Sequence, residues 1–251
     1  MAAVSGLLID VRLKRFPAVG QAPAVTAIKD LRFAVGSGEF VCLFGPSGCG
    51  KTTSLNIIAG LDSDFEGSIA LPAAAGRPRP IIGYVFQTPR LLPWRTVEEN
   101  IALVLDPAQA RSGIVDELLR ATGLAEFRHA YPERLSVGMA RRVALARAFA
   151  VSPDLLLMDE PFVSLDEPTA ERLRGLLLEI WQARPTTVLF VTHDTREAAR
   201  LADRVIVLTA SPASVQSIVA IDTPRPDRAA PEVADRIRQQ IVQPASASVE
   251  S

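Results

Sequence analysis

The sequence predicts an α/β protein: a parallel sheet wound with helices, an antiparallel β section ahead of it and a helical section inserted within it. Three observations carry this reading. From Leu155 onward, short apolar runs alternate with segments of helical spacing, the pattern of parallel strands joined by crossover helices. Phe40–Phe44 is a continuous apolar run leading into a glycine-rich turn, as expected of a strand buried on both faces. The first forty residues alternate apolar and polar positions between Pro and Gly breaks, as antiparallel strands with hairpin turns do.

Taken in order, LLIDVRL and IKDLRFAVGSGEF read as the antiparallel strands, and FVCLF as the first buried parallel strand. A helix is expected from about Thr52 to Ala59, stopped by Gly60. The Pro- and Ala-rich residues 72–80 form a loop between strands SIAL and IIGYVF. Residues 96–150 are expected to be mostly helical, with Val115, Leu118 and Leu119, then Val143, Leu145 and Ala146, at helical spacing. Then follow strand 155–158, helix 171–181, strand 187–191, helix 196–202 and strand 205–208. The uncharged run from Val205 to Ile221 contains Pro212 and reads as strand, turn and second strand. A short helix is expected at 231–242, with Val233, Ile237 and Ile241 on one stripe, and the closing PASASVES is expected to be disordered.

Composition narrows the function classes. The chain has 251 residues, 48% of them hydrophobic, enough for one sizeable core with a small inserted lobe. Its 27 basic and 28 acidic residues leave a net charge of −1, against the basic excess of a general nucleic-acid binder. The two cysteines, Cys42 and Cys49, give no disulfide framework and fit a reducing compartment. No signal peptide is expected at the N-terminus, and no apolar run reaches the length of about 20 residues needed to span a bilayer.

The chemistry lies in two segments. Gly45 to Thr53 read GPSGCGKTT between the predicted strand and helix, the context a phosphate loop requires. Gly45 and Gly50 let the loop of Gly45, Pro46, Ser47, Gly48 and Cys49 curl so that its backbone N–H groups, which Pro46 alone lacks, face a β-phosphate. The helix adds its positive end. Lys51 reaches the β- and γ-phosphates, while Thr52 and Thr53 follow, with the Thr52 hydroxyl offered to Mg²⁺. LLLMDE ends a buried strand in Asp159, a Mg²⁺ ligand, and Glu160, placed to polarise an attacking water as general base. Gln87 at the end of IIGYVF could bridge Mg²⁺ or that water to the next lobe, His193 after TVLFV could contact the γ-phosphate, and Asp166 closely follows the acidic strand. Singly, such residues are usually caps or solvated; their joint order is what speaks for a hydrolytic set. Cys49, near a helix N-terminus, is expected to be a reactive thiol when the loop is empty, and Cys42 an inert one.

With LSVGM at 135–139 between these two segments, the chain resembles the nucleotide-binding subunit of an ABC transporter over about residues 7–215. The resemblance implies a P-loop NTPase (RecA-like) core with an antiparallel β subdomain and an inserted α-helical subdomain at about 90–150. The ATPase domain would span 1–221, with 222–251 as a tail. It implies ATP and Mg²⁺ as cofactors, and two copies closing on two ATP, with Ser136 and Gly138 of one copy facing the γ-phosphate held by the other. Val137 stands where the family has glycine, so that position is expected in an ordinary extended or helical conformation. Met139 stands where the family has glutamine. Adenine stacking falls to Phe16, with Phe33 and Phe40 as core residues.

The wording QTPRLLPWRTVEENI after Gln87, and the stretch around His193, is similar to the nitrate, sulfonate and taurine importer subfamily. That implies transmembrane permease subunits as partners, an extracytoplasmic solute-binding protein acting indirectly, and a peripheral location on the cytoplasmic face of the cell membrane. Two alternatives stay open: a soluble cassette serving an iron–sulfur scaffold, and a switch for cell-wall or division partners. Trp94 is either a contact with the membrane partner or a core residue of the helical lobe.

Overall fold

The computed structural model describes residues 6–71 and 79–243. The loop expected at 72–80 and the closing PASASVES fall almost wholly outside the described residues. The chain opens with β1 (Gly6–Phe16), β2 (Val25–Gly36), β3 (Phe40–Phe44), α1 (Lys51–Ile58), β4 (Glu66–Ala70) and β5 (Ile82–Val85). The helical stretch holds α2 (Val97–Ala102), α3 (Pro107–Ala110), α4 (Ile114–Ala121) and α5 (Val137–Ala150). Then come β6 (Leu155–Asp159), α6 (Glu167–Ala183), β7 (Thr187–Thr192), α7 (Thr195–Leu201), β8 (Arg204–Leu208), β9 (Val215–Ala220) and α8 (Pro231–Val242). The chain divides into two compact units: the residues before Pro80 together with those from Thr187 on, and Pro80–Thr186.

In the first unit, the alternation of the opening residues gives an antiparallel sheet in the order β2-β1-β4. Its register runs from Gly6↔Gly36 to Phe16↔Val25, shifting between Lys14 and Arg15. Leu7, Ile9 and Val11 are buried on one face, while Leu8 between them is exposed, as a period of two requires. Lys14 is buried and bonds the Asp62 carboxylate at 2.9 Å.

The parallel part of this unit sets β3 between β7 and β8, with β9 antiparallel on β8. Phe40, Val41, Cys42 and Leu43 are all fully buried, which is why this strand reads as an unbroken apolar run. Phe40 meets Phe190 of β7 edge to face at 5.5 Å, and Phe33 and Phe40 are core residues as expected. The expected second strand after Pro212 is β9.

The residues from 222 on are more tightly bound in than a tail. Ile237 and Ile241 of α8 are buried. Arg228, also buried, donates to the carbonyls of Thr223, Ala199, Ala202 and Ile221. Burial lowers its pKa to about 10, so it stays charged at neutral pH.

In the second unit, β5 and β6 pair in parallel, Ile82↔Leu155 through Val85↔Met158. The expected helical stretch is four helices with turns between them, and Val115, Leu118, Leu119, Val143, Leu145 and Ala146 are buried as their spacing predicts. A capping box of Thr96 and Glu99 starts α2. The helix expected at 171–181 begins four residues earlier, because Asp166 caps it and a proline occupies its first turn.

Candidate active site

The phosphate loop leaves the C-terminal end of β3. Gly48 and Gly50 adopt left-handed φ values of 77° and 111°, conformations glycine reaches at little cost. The loop is also tightly floored. A Cβ at Gly45 would stand 3.0 Å from Cys49 Sγ and 3.2 Å from Leu208 Cβ, and one at Gly50 would stand 2.8 Å from the Ala27 carbonyl oxygen. Helix α1 follows with no side-chain cap and no acid in its first turn, so the positive end of the helix faces the loop unneutralised by its own side chains. Lys51 is buried, its Nζ donating to the Gly45 and Pro46 carbonyls at 2.8 and 2.9 Å. Pro46, Ser47, Gly48 and Thr52 are exposed, and Thr53 is half-buried. This cradle fits a polyphosphate: glycine backbone curled around a buried ammonium at an uncapped helix start.

His193 follows β7, and the register explains where it lies. Phe44 pairs with Thr192, so the phosphate loop and His193 leave neighbouring strands at the same level. Gly45 N–H donates to the Thr192 carbonyl at 3.4 Å. The turn is held by a residue the sequence reading did not single out. Buried Glu197 accepts the Thr192 hydroxyl at 2.5 Å, and that hydroxyl accepts the Asp194 N–H at 3.0 Å. The signal was a carboxylate four positions after His193 on a short helix, where one face turns back toward the strand end. His193 itself is exposed.

Phe16 closes β1 and is 43% exposed, with Lys14 Nζ 4.9 Å from its ring centroid. An exposed aromatic face is available there for stacking.

Cys49 departs from expectation. It is 1% exposed, and burial pushes its thiol above the ordinary range, outweighing the lowering by nearby Lys51. Its sulfur is packed under Gly45, which runs against the expectation of a reactive thiol at the helix end. Cys42, expected to be inert, is fully buried, and burial pushes its pKa well above the ordinary range.

In the second unit, β6 is buried throughout and ends in Asp159, 4% exposed. Glu160 comes next with φ 43°, a region non-glycine residues seldom occupy. Strand β5 stops at Val85, two residues short of the expected end, so Gln87 sits just beyond it. Gln87 Nε2 donates to Glu160 Oε2 at 3.4 Å, so these two predicted residues do come together. Tyr84, half-buried on β5, has its pKa raised by burial and by Asp159.

Ser136 is the N-cap of α5, its hydroxyl accepting the Met139 N–H at 3.2 Å. Val137 is helical and 58% exposed, in line with the expectation for a β-branched residue. Gly138 is buried, and a Cβ there would stand 2.8 Å from Thr169 Cγ2 of α6. Asp166 is engaged as the cap of α6, accepting the Thr169 N–H at 3.0 Å, and hydrogen bonding to the Thr169 side chain and then to its N–H lowers its pKa. Arg141 went unnoticed in the sequence. Buried, it donates to the carbonyls of Pro161 and Val163 and so fixes the turn after the acidic strand.

Trp94 is 69% exposed and is not a core residue. The turn carrying it is built by fully buried Asn100, which accepts the Leu92 N–H and donates to the Leu92, Arg95 and Thr96 carbonyls.

Residues 28–163 match the family model described as ABC transporter. The chain is 41% identical over 221 residues to the aliphatic sulfonates import ATP-binding protein SsuB of Bacillus licheniformis, covering 86% of each. It is 44% identical over 211 residues to an aliphatic sulfonates import ATP-binding protein, SsuB 2, of Burkholderia lata, covering 83% of this chain and 77% of the relative. Among solved structures it resembles the dimeric post-hydrolysis state of the ATP-binding cassette MJ0796 bound to ADP and Pi. That match has a TM-score of 0.71 and 30% identity, and it covers 87% of this chain and 100% of the other.

Proposed function

This chain belongs to the ABC transporter family and is an ATPase of it, and from that premise we propose that it powers the import of a small sulfonate. The observation that supports the nucleotide part is the cradle of Gly48, Gly50 and Lys51 at the uncapped start of α1. The cargo class rests on the relatives named for aliphatic sulfonate import.

In this proposal Lys51 and the N–H groups of the loop hold the β- and γ-phosphates, and Phe16 stacks on the adenine. Thr52, Gln87 and Asp159 offer hydroxyl, amide and carboxylate oxygens, a donor set suited to Mg²⁺, whose contribution when bound is to neutralise charge on the phosphates. Glu160 takes a proton from water, the water oxygen bonds to the γ-phosphorus, and the bond to the bridging oxygen breaks to leave ADP and phosphate. His193, in the turn fixed by the bond between Thr192 and Glu197, faces the leaving γ-phosphate. A second copy contributes Ser136 and Gly138, Asp166 lies beside them, and closure of the pair drives permease subunits in the membrane. A solute-binding protein delivers the cargo outside. No helix among the described residues is long and apolar enough to cross a membrane. In this proposal the chain sits against the permease from the cytoplasmic side.

Glu160→Gln tests this. Uptake of a labelled alkanesulfonate by cells carrying the variant, and ATP turnover by the purified protein, should both fall by about 10²-fold or more, with ATP binding and ATP-dependent dimer mass retained. Turnover like that of the unaltered protein would remove Glu160 from the chemistry. Normal turnover dependence without alkanesulfonate uptake would remove the cargo.

A further inference from the structure

A second concave site lies wholly within the second unit. A cavity of about 320 Å³ is lined by the last turn of α4, the first turns of α5 and the first turns of α6. Two guanidinium groups reach it, Arg142 from α5 and Arg172 from α6. Arg142 Nη1 donates to the Thr122 carbonyl and Arg172 Nη2 to the Thr169 hydroxyl, both at 3.0 Å. These bonds fix each fork while leaving several N–H donors of each group for other partners.

No carboxylate is among the residues lining the cavity. The two cations feel each other: Arg142 has its pKa lowered first by burial and then by Arg172. Asp166, whose carboxyl feels Arg172, is already committed to capping α6. Two like charges held in one concavity without a lining counter-ion favour an anion between them. The rest of the wall is mixed, with Leu173, Leu176 and Ala121 giving it an apolar side and Thr122, Ser136 and Thr169 a hydroxyl-bearing one.

We propose that this cavity binds a small organic oxyanion, its charged head between Arg142 and Arg172 and a short alkyl tail along Leu173 and Leu176. Planar guanidinium forks suit sulfonate, phosphonate or carboxylate heads, and the leucine wall takes methylene groups. Ser136 and Gly138 of the LSVGM turn line the cavity too, while its charge comes from residues one turn further along α5 and from α6.

The test uses the full chain without nucleotide or permease, so its outcome does not depend on the cargo assigned above. Butanesulfonate, inorganic sulfate and butanol are titrated by calorimetry. Butanesulfonate should bind, sulfate about tenfold more weakly for want of a tail, and butanol not at all. Arg172→Ala, at an exposed position, should weaken butanesulfonate by about tenfold or more, with an unchanged melting temperature showing that the fold persists. Arg172→Lys should fall between the two. The proposal is overturned if butanesulfonate gives no saturable heat, if Arg172→Ala binds it unchanged, or if butanol binds as well as the sulfonate.

Discussion

Lys51→Ala tests the phosphate cradle through its own thermodynamics. With ATP at about 100 times its dissociation constant, the unaltered protein should gain about 2.7 kcal/mol. For a chain of this size that raises the melting temperature by about 5–11 °C. Lys51 is buried and already aimed into the loop through the Gly45 and Pro46 carbonyls, so its bonds to the phosphates form with little ordering cost. A hydrogen bond to a charged group contributes about 1.5–3 kcal/mol. Losing two at the lower value removes about 3 kcal/mol and raises the dissociation constant more than about 100-fold. At the same ATP concentration the gain then shrinks to about 0.3 kcal/mol, a shift of about 1 °C. The variant without ligand should also melt lower, since two loop carbonyls lose their donor, so each protein is compared with itself. Thermal unfolding followed by fluorescence, with and without Mg·ATP, reads both effects. A variant that keeps an ATP-induced rise of about 5 °C or more would refute the placement of the nucleotide on this loop.

Trp94→Ala should change stability by no more than about 0.5 kcal/mol, as its exposure requires, while recovery of the chain with its permease subunits falls sharply; a large drop in melting temperature with assembly intact would return Trp94 to the interior. Cys49 and Cys42 should both resist alkylation in the native protein, with or without Mg·ATP, because both are buried with raised pKa values; fast labelling of Cys49 that ATP suppresses would show the loop to be open. Arg228→Leu orphans four carbonyl acceptors and should cost about 3 kcal/mol, lowering the melting temperature by about 6–12 °C; a change below about 2 °C would mean that water replaces the guanidinium.

Local features were legible in the sequence. Glycines at fixed offsets after an apolar strand located the phosphate loop, and the helix it feeds starts within one residue of its expected position. The acidic end of β6 was equally plain, because a buried strand leaves its polar residues at its tip. What escaped depends on residues far apart in the chain. The floor under the phosphate loop is of this kind: a Cβ on Gly45 would meet Leu208 of β8 as well as Cys49, and no local rule brings Leu208 there. The pairing Phe44↔Thr192 that brings His193 level with the loop is a matter of register. Arg228 falls in the stretch from 222 expected to be a tail, and its anchoring role was not legible because the carbonyls it gathers belong to α7 and its neighbours. The early start of α6 was readable and was missed: Asp166 and the proline two positions on are a helix start signal.

Glu160 carries a last consequence. Its left-handed backbone, φ 43°, costs a residue with a Cβ about 1–2 kcal/mol, and glycine would escape that cost. Drift under selection for stability alone would therefore empty this position of its side chain. On the proposed role of Glu160 as general base, a glutamate there sets folding against chemistry, with the backbone cost accepted for the carboxylate. The strain also bears on which replacements are informative. Glutamine and alanine inherit the same backbone cost as glutamate, so they report on the carboxylate alone, whereas glycine changes the carboxylate and the strain together.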